Sequence, residues 1–230
     1  MMKCLLNSSG RWRIVWRPLA LLVLSAAPLI SQDQVETLLR EHQQEISTAA
    51  RQFRISARLL ASVVFAERSL NVKPGELIVD YVLAKSGYNS SLGMAQVKVN
   101  TAEWIEEQLH NPDSEFYLGE ASSRVIPAAR SESERIERLN DASWNLLYAA
   151  AYVAMIKKQW SSIFLTSPHP TIQTGVIATV YSLGISRPDG SIRIPHNHPQ
   201  LNQFGKTAQE FFDSFRMRIE FPNESSGPNR

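Results

Sequence analysis

The stretch "WNLLYAAAYVAMIKKQW", residues 144–160, decides the fold class. It is apolar nearly all round, the pattern of a helix surrounded by protein or by lipid. A bilayer span needs about 20 consecutive apolar residues, and here Lys157 and Lys158 arrive too soon. The segment therefore reads as the central buried helix of a globular domain, and the chain on either side should supply helices to cover it.

Upstream, Val35, Leu38, Leu39, Ile46, Ala49 and Phe53 keep to one helical stripe, and Ser31 with Gln34 has the Ser-x-x-Gln form of a capping box. Ser56 can cap a second helix from Ala57 to about Leu70, before Pro74-Gly75 forces a turn. Asn100 and Glu103 give a start signal for a third, which carries Trp104, Ile105 and Leu109 until Asn111-Pro112 breaks it. Residues 111–135 are polar and irregular and read as a surface excursion, and "RSESERIERLND" as a solvated helix face. Helices over Ile172–Tyr181 and Lys206–Met217 follow. No run of alternating strands appears. The expected class is mainly α, with at most a short β-hairpin or an irregular lobe around residues 76–99.

The formal net charge of +2 conceals an asymmetry: Lys3, Arg11, Arg13 and Arg17 precede residue 32, and no Asp or Glu does. Without those four, 20 basic residues face 22 acidic ones, so the rest of the chain lacks the basic footprint of a nucleic-acid binder. The four cations are followed by "PLALLVLSAAPLI", a run of secretory length. Residues 1–31 are thus expected to be a signal peptide or an uncleaved signal anchor, with export to the periplasm or the outside. Both remain open, because Pro28 follows the small residues Ser25 and Ala27. Residues 32–221 form the domain and 222–230 a disordered tail. The single cysteine, Cys4, lies before the apolar run, so the exported domain has neither disulfide nor thiol chemistry.

Within "AERSLNVKPGELIVDYVLAKSGYNSSLGMAQV", residues 66–97, one carboxylate follows an apolar helical run directly. Leu60, Val63, Val64 and Glu67 fall at i, i+3, i+4 and i+7, so Glu67 projects from the apolar side. Desolvation, and a position near the helix C-terminus, should both raise its pKa. A proton held near neutral pH is what a general acid needs. The plainer reading is a Glu paired with a cation or wetted at the edge of the stripe.

That stretch, together with "VIATVYSLG" (176–184), resembles the lytic transglycosylases and goose-type lysozymes. In that superfamily a Glu-Ser pair ends a buried helix, a Gly-Leu-Met-Gln-type turn follows, and a Tyr-Asn-x-Gly-type segment closes the cleft. The counterparts are Glu67 with Ser69, Gly93-Met94-Ala95-Gln96, and Tyr181-Ser182-Leu183-Gly184; Asn145 matches the Asn of the central helix. The resemblance implies a lysozyme-like fold and cleavage of the β-1,4 bonds of peptidoglycan glycan strands. The substrate's own N-acetyl group then attacks C1, the 6-hydroxyl closes a 1,6-anhydro ring, and Glu67 serves as acid and then base. Tyr181 would donate its phenol to Glu67 or to the acetamido group. Ser69, Gly93, Met94, Gln96, Asn145 and Ser182 would contact substrate. No cofactor is called for, and the further partners such a domain meets are cell-wall or secretion-assembly proteins.

The sequence also departs from that pattern. Ser182 stands for the usual Asn, Arg68 separates Glu67 from Ser69, Ala95 replaces a bulkier residue, and the interval from Glu67 to Gln96 is long. Glu76 and Asp80 in that interval offer a second carboxylate, which would make the reaction hydrolytic, or else they are loop charges. A lysozyme-like domain that binds glycan or a wall protein without cutting it is the alternative from another class. "PHNHP" (195–199) with His169 lacks the register and acidic ligand of a zinc site, so no metal is expected.

Overall fold

The computed structural model describes residues 31–71, 76–166, 169–214, 218 and 220–222. The leader with Cys4, the turn at Pro74-Gly75, Met217 and the tail beyond Pro222 lie outside the described residues. Among those described, the fold is mainly α, and no helix is long and apolar enough to cross a membrane.

The first apolar stripe forms two helices, α1 (Gln32–Glu41) and α2 (Gln43–Gln52), rather than one. The break is His42, at φ −104° and ψ 19°. Because it spans a single residue the stripe stays nearly in phase, and Val35, Leu39, Ile46, Ala49 and Phe53 are all buried. Ser31 makes the expected capping box with Gln34. The next helix, α3 (Ala57–Leu70), is capped by Ser56 and has the predicted bounds. Helices on several sides bury it from Arg58 to Arg68. Arg58 is accommodated because its Nε donates to the Phe221 carbonyl at 3.0 Å and its guanidinium lies 5.1 Å from the Phe212 ring centre.

Residues 76–85, expected as hairpin or irregular lobe, are a helix, α4 (Glu76–Lys85). Its amphipathicity is inverted: Ala84 faces the body and Lys85 bonds Ser133 and Glu137, while Ile78 is 74% exposed and Val79 and Val82 also face out. Apolar residues on the outer face conceal the period that normally marks a helix. The hairpin exists, but only as β1 (Ser91–Leu92) antiparallel to β2 (Val97–Lys98), with Leu92 opposite Val97. β2 runs straight into α5 (Val99–His110), so Lys98 rather than Asn100 occupies the cap position, without a side-chain cap. Asn100 instead donates its backbone N–H to Asn89 Oδ1 at 3.0 Å.

The excursion at 111–135 contains a further short helix, α6 (Glu120–Val125), and leads into α7 (Glu132–Asn140). α7 is not the solvated face its mixed charges indicated, because Arg135, Ile136 and Leu139 are buried. Arg135 reaches the buried Glu106 of α5, which also accepts from the Ala129 N–H and from the Tyr148 hydroxyl. α8 (Ala142–Gln159), capped by Asp141, is the central helix and packs against α2, α5, α7 and α10. α9 (Ser161–Thr166), α10 (Pro170–Leu183) and α11 (Gln203–Asp213) follow among the described residues.

The α10–α11 crossing is held close by glycine. A Cβ built on Gly205 would lie 2.0 Å from Thr179 Oγ1 and 2.5 Å from the Gly175 carbonyl oxygen. One of those neighbours is backbone, so the helices themselves would have to separate. Gly205→Ala is expected to destabilise the fold by roughly 1–3 kcal/mol, despite its better helix propensity. A lowered urea midpoint would record this, and an unchanged or raised midpoint would contradict it.

Candidate active site

The end of α3, the hairpin, the start of α5 and the end of α10 surround a groove of about 1010 Å³. Glu67, Gln96, Tyr181 and Ser182 all line it, so residues scattered over more than a hundred positions of sequence meet in one place. Much of the remaining wall is uncharged and hydrogen-bonding, with Asn89, Ser91, Asn100 and Thr101 among it. Trp104, Tyr152 and Tyr181 form an aromatic run along the groove, each ring edge-on to the next at 6.0 and 5.5 Å between centres.

Glu67 is 8% exposed, at the last turn of the most enclosed helix. Its Oε1 accepts from Asn71 Nδ2 at 3.1 Å. Burial pushes its pKa up from 4.5 to about 7, against the opposing pull of the Asn71 bond and of the Arg68 and Lys98 charges. Arg68 is pushed down by burial. At neutral pH Glu67 is therefore poised between acid and base.

The turn between the strands is fixed from α8. Asn145 is fully buried. Its Oδ1 accepts from the Ala95 N–H at 2.7 Å, and its Nδ2 donates to the carbonyls of Leu92 at 2.8 Å and Leu139 at 2.9 Å. With its amide committed in this way Asn145 is not a substrate contact. Gly93, at φ +71°, packs against this amide: a Cβ there would lie 2.4 Å from Asn145 Nδ2 and from the Leu139 oxygen. Gly93 and the buried Met94 shape the turn and do not line the groove. Gln96 does, from a left-handed backbone at φ +49°, with its Nε2 held by the Gly93 carbonyl at 3.0 Å. A left-handed backbone is uncommon for a residue other than glycine; Arg54, away from the groove, shows it too at φ 53°.

Tyr181 donates to the Ala95 carbonyl at 2.8 Å, not to Glu67. Burial holds its phenol neutral, well above the usual range, and the nearby Glu67 charge adds to this. Having spent its hydrogen, it faces the groove as an acceptor. Ser182 donates to the Thr179 carbonyl at 3.0 Å and accepts from Asn202 at 2.7 Å. Ser69 is absent from the groove wall, and its buried Oγ has no partner among the described residues. Two residues along a helix is about 200° of rotation, which carries Ser69 to the far side. Four residues is only about 40° past a full turn, so Asn71 is the side chain that meets Glu67. That spacing was present in the sequence and would have found it. Trp104 and Tyr152 carried no motif, and only packing brings them to the groove.

Among the described residues no three His, Cys, Asp or Glu side chains converge as metal ligands. His196 instead lies edge-on to Trp160, 5.7 Å between centres. No family model matches the chain, and no curated protein matches it.

Two measurements check this account of the site. Asn145→Ala strands a buried N–H and two carbonyls, so it is expected to cost about 2–4 kcal/mol in urea unfolding; a substrate-contact residue would leave stability unchanged. Glu67, with its folded pKa above the ordinary value, binds its proton more tightly in the folded state. That contribution is complete below pH 4.5 and is lost as pH rises through about 7. Glu67→Gln cannot ionise, so at pH 8 it is expected to exceed the wild type in stability by up to about 3 kcal/mol. The two should converge near pH 4, and parallel stability curves would refute the raised pKa.

Proposed function

We propose that this groove cleaves β-1,4 glycosidic bonds of peptidoglycan glycan strands, with Glu67 as the sole acid and base. The observation that carries the reading is the buried Glu67 carboxyl, with its pKa near 7, lining a groove of about 1010 Å³ whose wall is rich in hydrogen-bonding side chains and aromatic rings. Sugars present that mixture of hydroxyls and apolar ring faces. In this reading the basic and apolar residues 1–31 would serve as an export signal or anchor, with the activity outside the cytoplasm.

In this reading protonated Glu67 gives its proton to the glycosidic oxygen as the C1–O bond breaks, and the acetamido oxygen bonds to C1. Glu67, now a carboxylate, takes the proton of the 6-hydroxyl, whose oxygen displaces the acetamido oxygen and closes the anhydro ring. Asn71 holds Oε1, which leaves Oε2 to exchange the proton. Tyr181, with only lone pairs to offer, accepts from the acetamido N–H and turns its carbonyl oxygen toward C1. Gln96 supplies a polar contact from the turn.

Asp80, from α4, lines the same groove and favours a second reading, hydrolysis through a water it activates. Product mass separates the two. Digestion of purified peptidoglycan is expected to release fragments one water lighter than reducing ends, with activity falling as pH rises above about 7. Glu67→Gln should lose about a thousandfold, in the range that general acids contribute, while Asp80→Asn retains most activity. Reducing ends together with an inactive Asp80→Asn would establish the hydrolytic route. Wild-type protein that binds peptidoglycan and releases nothing would make the domain a binding module.

A further inference from the structure

The groove continues beyond the acid. Tyr181, which feels the Glu67 charge, is edge-on to Tyr152 at 5.5 Å between ring centres, and Tyr152 is edge-on to Trp104 at 6.0 Å. All three line the same cavity, so the row leads away from Glu67 along its wall. Trp104 comes from α5, where Asn100, Thr101 and Trp104 fall at i, i+1 and i+4 and line the groove together. That face is placed from outside the helix: the Asn100 N–H is held by Asn89 Oδ1 at 3.0 Å, and Trp104 rests edge-on to Phe116 at 5.0 Å. The row is also fixed at its middle, because the Tyr152 hydroxyl accepts from the Ile185 N–H at 2.8 Å.

Three features define what this face would hold. It carries no charge of its own: Glu103, between Thr101 and Trp104 in sequence, turns away to Arg135 at 3.3 Å. The side chains of Asn100 and Thr101 have no hydrogen-bond partner among the described residues, and neither residue is buried. Trp104 is half-buried, so part of its surface stays open where it lines the groove. An aromatic surface flanked by an unspent amide and hydroxyl, all held in place before any ligand arrives, suits a neutral ring with an apolar face and polar groups around its edge. A β-linked pyranose has that form: its axial C–H groups make the apolar face, and its hydroxyl and acetamido groups lie around the ring.

We propose that Asn100, Thr101 and Trp104 form a sugar-binding subsite away from the acid, which takes an uncharged β-1,4-linked pyranose of the strand whose bond is cleaved at Glu67. The inference rests on the glycan reading for its ligand and goes beyond it in naming where the strand is gripped. Each step of the aromatic row is comparable to the length of one ring in such a strand, so Trp104 meets a sugar further along than the one at Tyr181. Trp104 is thus a specificity-determining residue. Its grip is the same before and during bond breaking, so it lowers KM and leaves kcat unchanged. The strand must also be long enough to reach it.

The test has a binding arm and a kinetic arm. In the first, the full chain carrying Glu67→Gln and isotope-labelled at its tryptophan indoles is titrated with the β-1,4-linked tetramer of N-acetylglucosamine. The Trp104 signal, assigned through Trp104→Phe, is expected to shift saturably with a dissociation constant of roughly 1 mM, and the free monosaccharide should bind at least about tenfold more weakly. In the second, Trp104→Ala is expected to raise KM for peptidoglycan about tenfold with kcat within about twofold of the wild type, and Asn100→Ala to raise KM about threefold. Trp104 also packs on Phe116, so Asn100→Ala, which removes an exposed side chain, carries this arm if Trp104→Ala lowers the urea midpoint. No Trp104 shift up to about 20 mM tetramer, wild-type KM in both variants, or a loss of kcat at unchanged KM would each overturn the subsite. Tetramer bound at Trp104 by a chain that releases no fragments from peptidoglycan fails only the cleavage reading. Fragments released with wild-type KM by both variants fail only the subsite.

Discussion

Ala95 is the residue through which the groove is held together, and Asn145 is what fixes it. The Ala95 N–H is taken by the Asn145 side chain on α8, and its carbonyl by the Tyr181 hydroxyl on α10. One peptide thus ties the hairpin turn to two helices that lie far from it in sequence. The constraint propagates outward. Asn145 also binds the Leu92 and Leu139 carbonyls, which pins β1 and the end of α7 to the same point. Gly93 must lack a side chain to approach that amide, and Ala95 beside it is fully buried. Gly93 is a glycine because a buried carboxamide stands behind it.

Two of the buried carboxyl side chains among the described residues, Glu106 and Glu67, are held in contrasting ways. Glu106 is enclosed by donors: Arg135 through two nitrogens, the Ala129 N–H and the Tyr148 hydroxyl. A carboxylate satisfied on both oxygens is a strut, and this one joins α5, α7 and α8. Glu67 has a single neutral donor, Asn71, and no guanidinium in hydrogen-bonding contact among the described residues. Its charge is poorly compensated, so burial prevails and the proton stays. What distinguishes the carboxyl that keeps its proton from the structural carboxylate is the number of donors around it.

Much of the helical frame was legible because periodicity and caps agreed with burial. α3 has its predicted bounds, and α8 its predicted place at the centre. Legibility failed where the usual relation was inverted or where contact was long-range. α4 turns its aliphatic residues outward, so its sequence resembles no amphipathic helix packed on a core. Arg135 is drawn into the interior by Glu106, which local charge patterning cannot register. In the groove, Glu67, Gln96 and Tyr181 could be named in advance, but Tyr181's direction could not. Whether a phenol donates to Glu67 or to a backbone carbonyl depends on where the hairpin lies, and that is set by Asn145 from another helix. Ser69 and Asn71 are a different matter, since helical rotation alone separates them.

The forces on Glu67 also indicate how an occupied groove would behave. Burial raises its pKa, and the charges that oppose burial are those of Arg68 and Lys98. Arg68 is itself largely enclosed, whereas Lys98 lines the groove and is exposed. A strand lying in the groove displaces water from the carboxyl and strengthens the first effect. Any anionic group it carries beside Lys98 weakens one of the opposing effects. Both changes act in the same direction, toward the protonated acid. In a glycan-cleaving site the arrangement therefore makes the proton most available when there is a bond to receive it, with the empty groove left closer to balance.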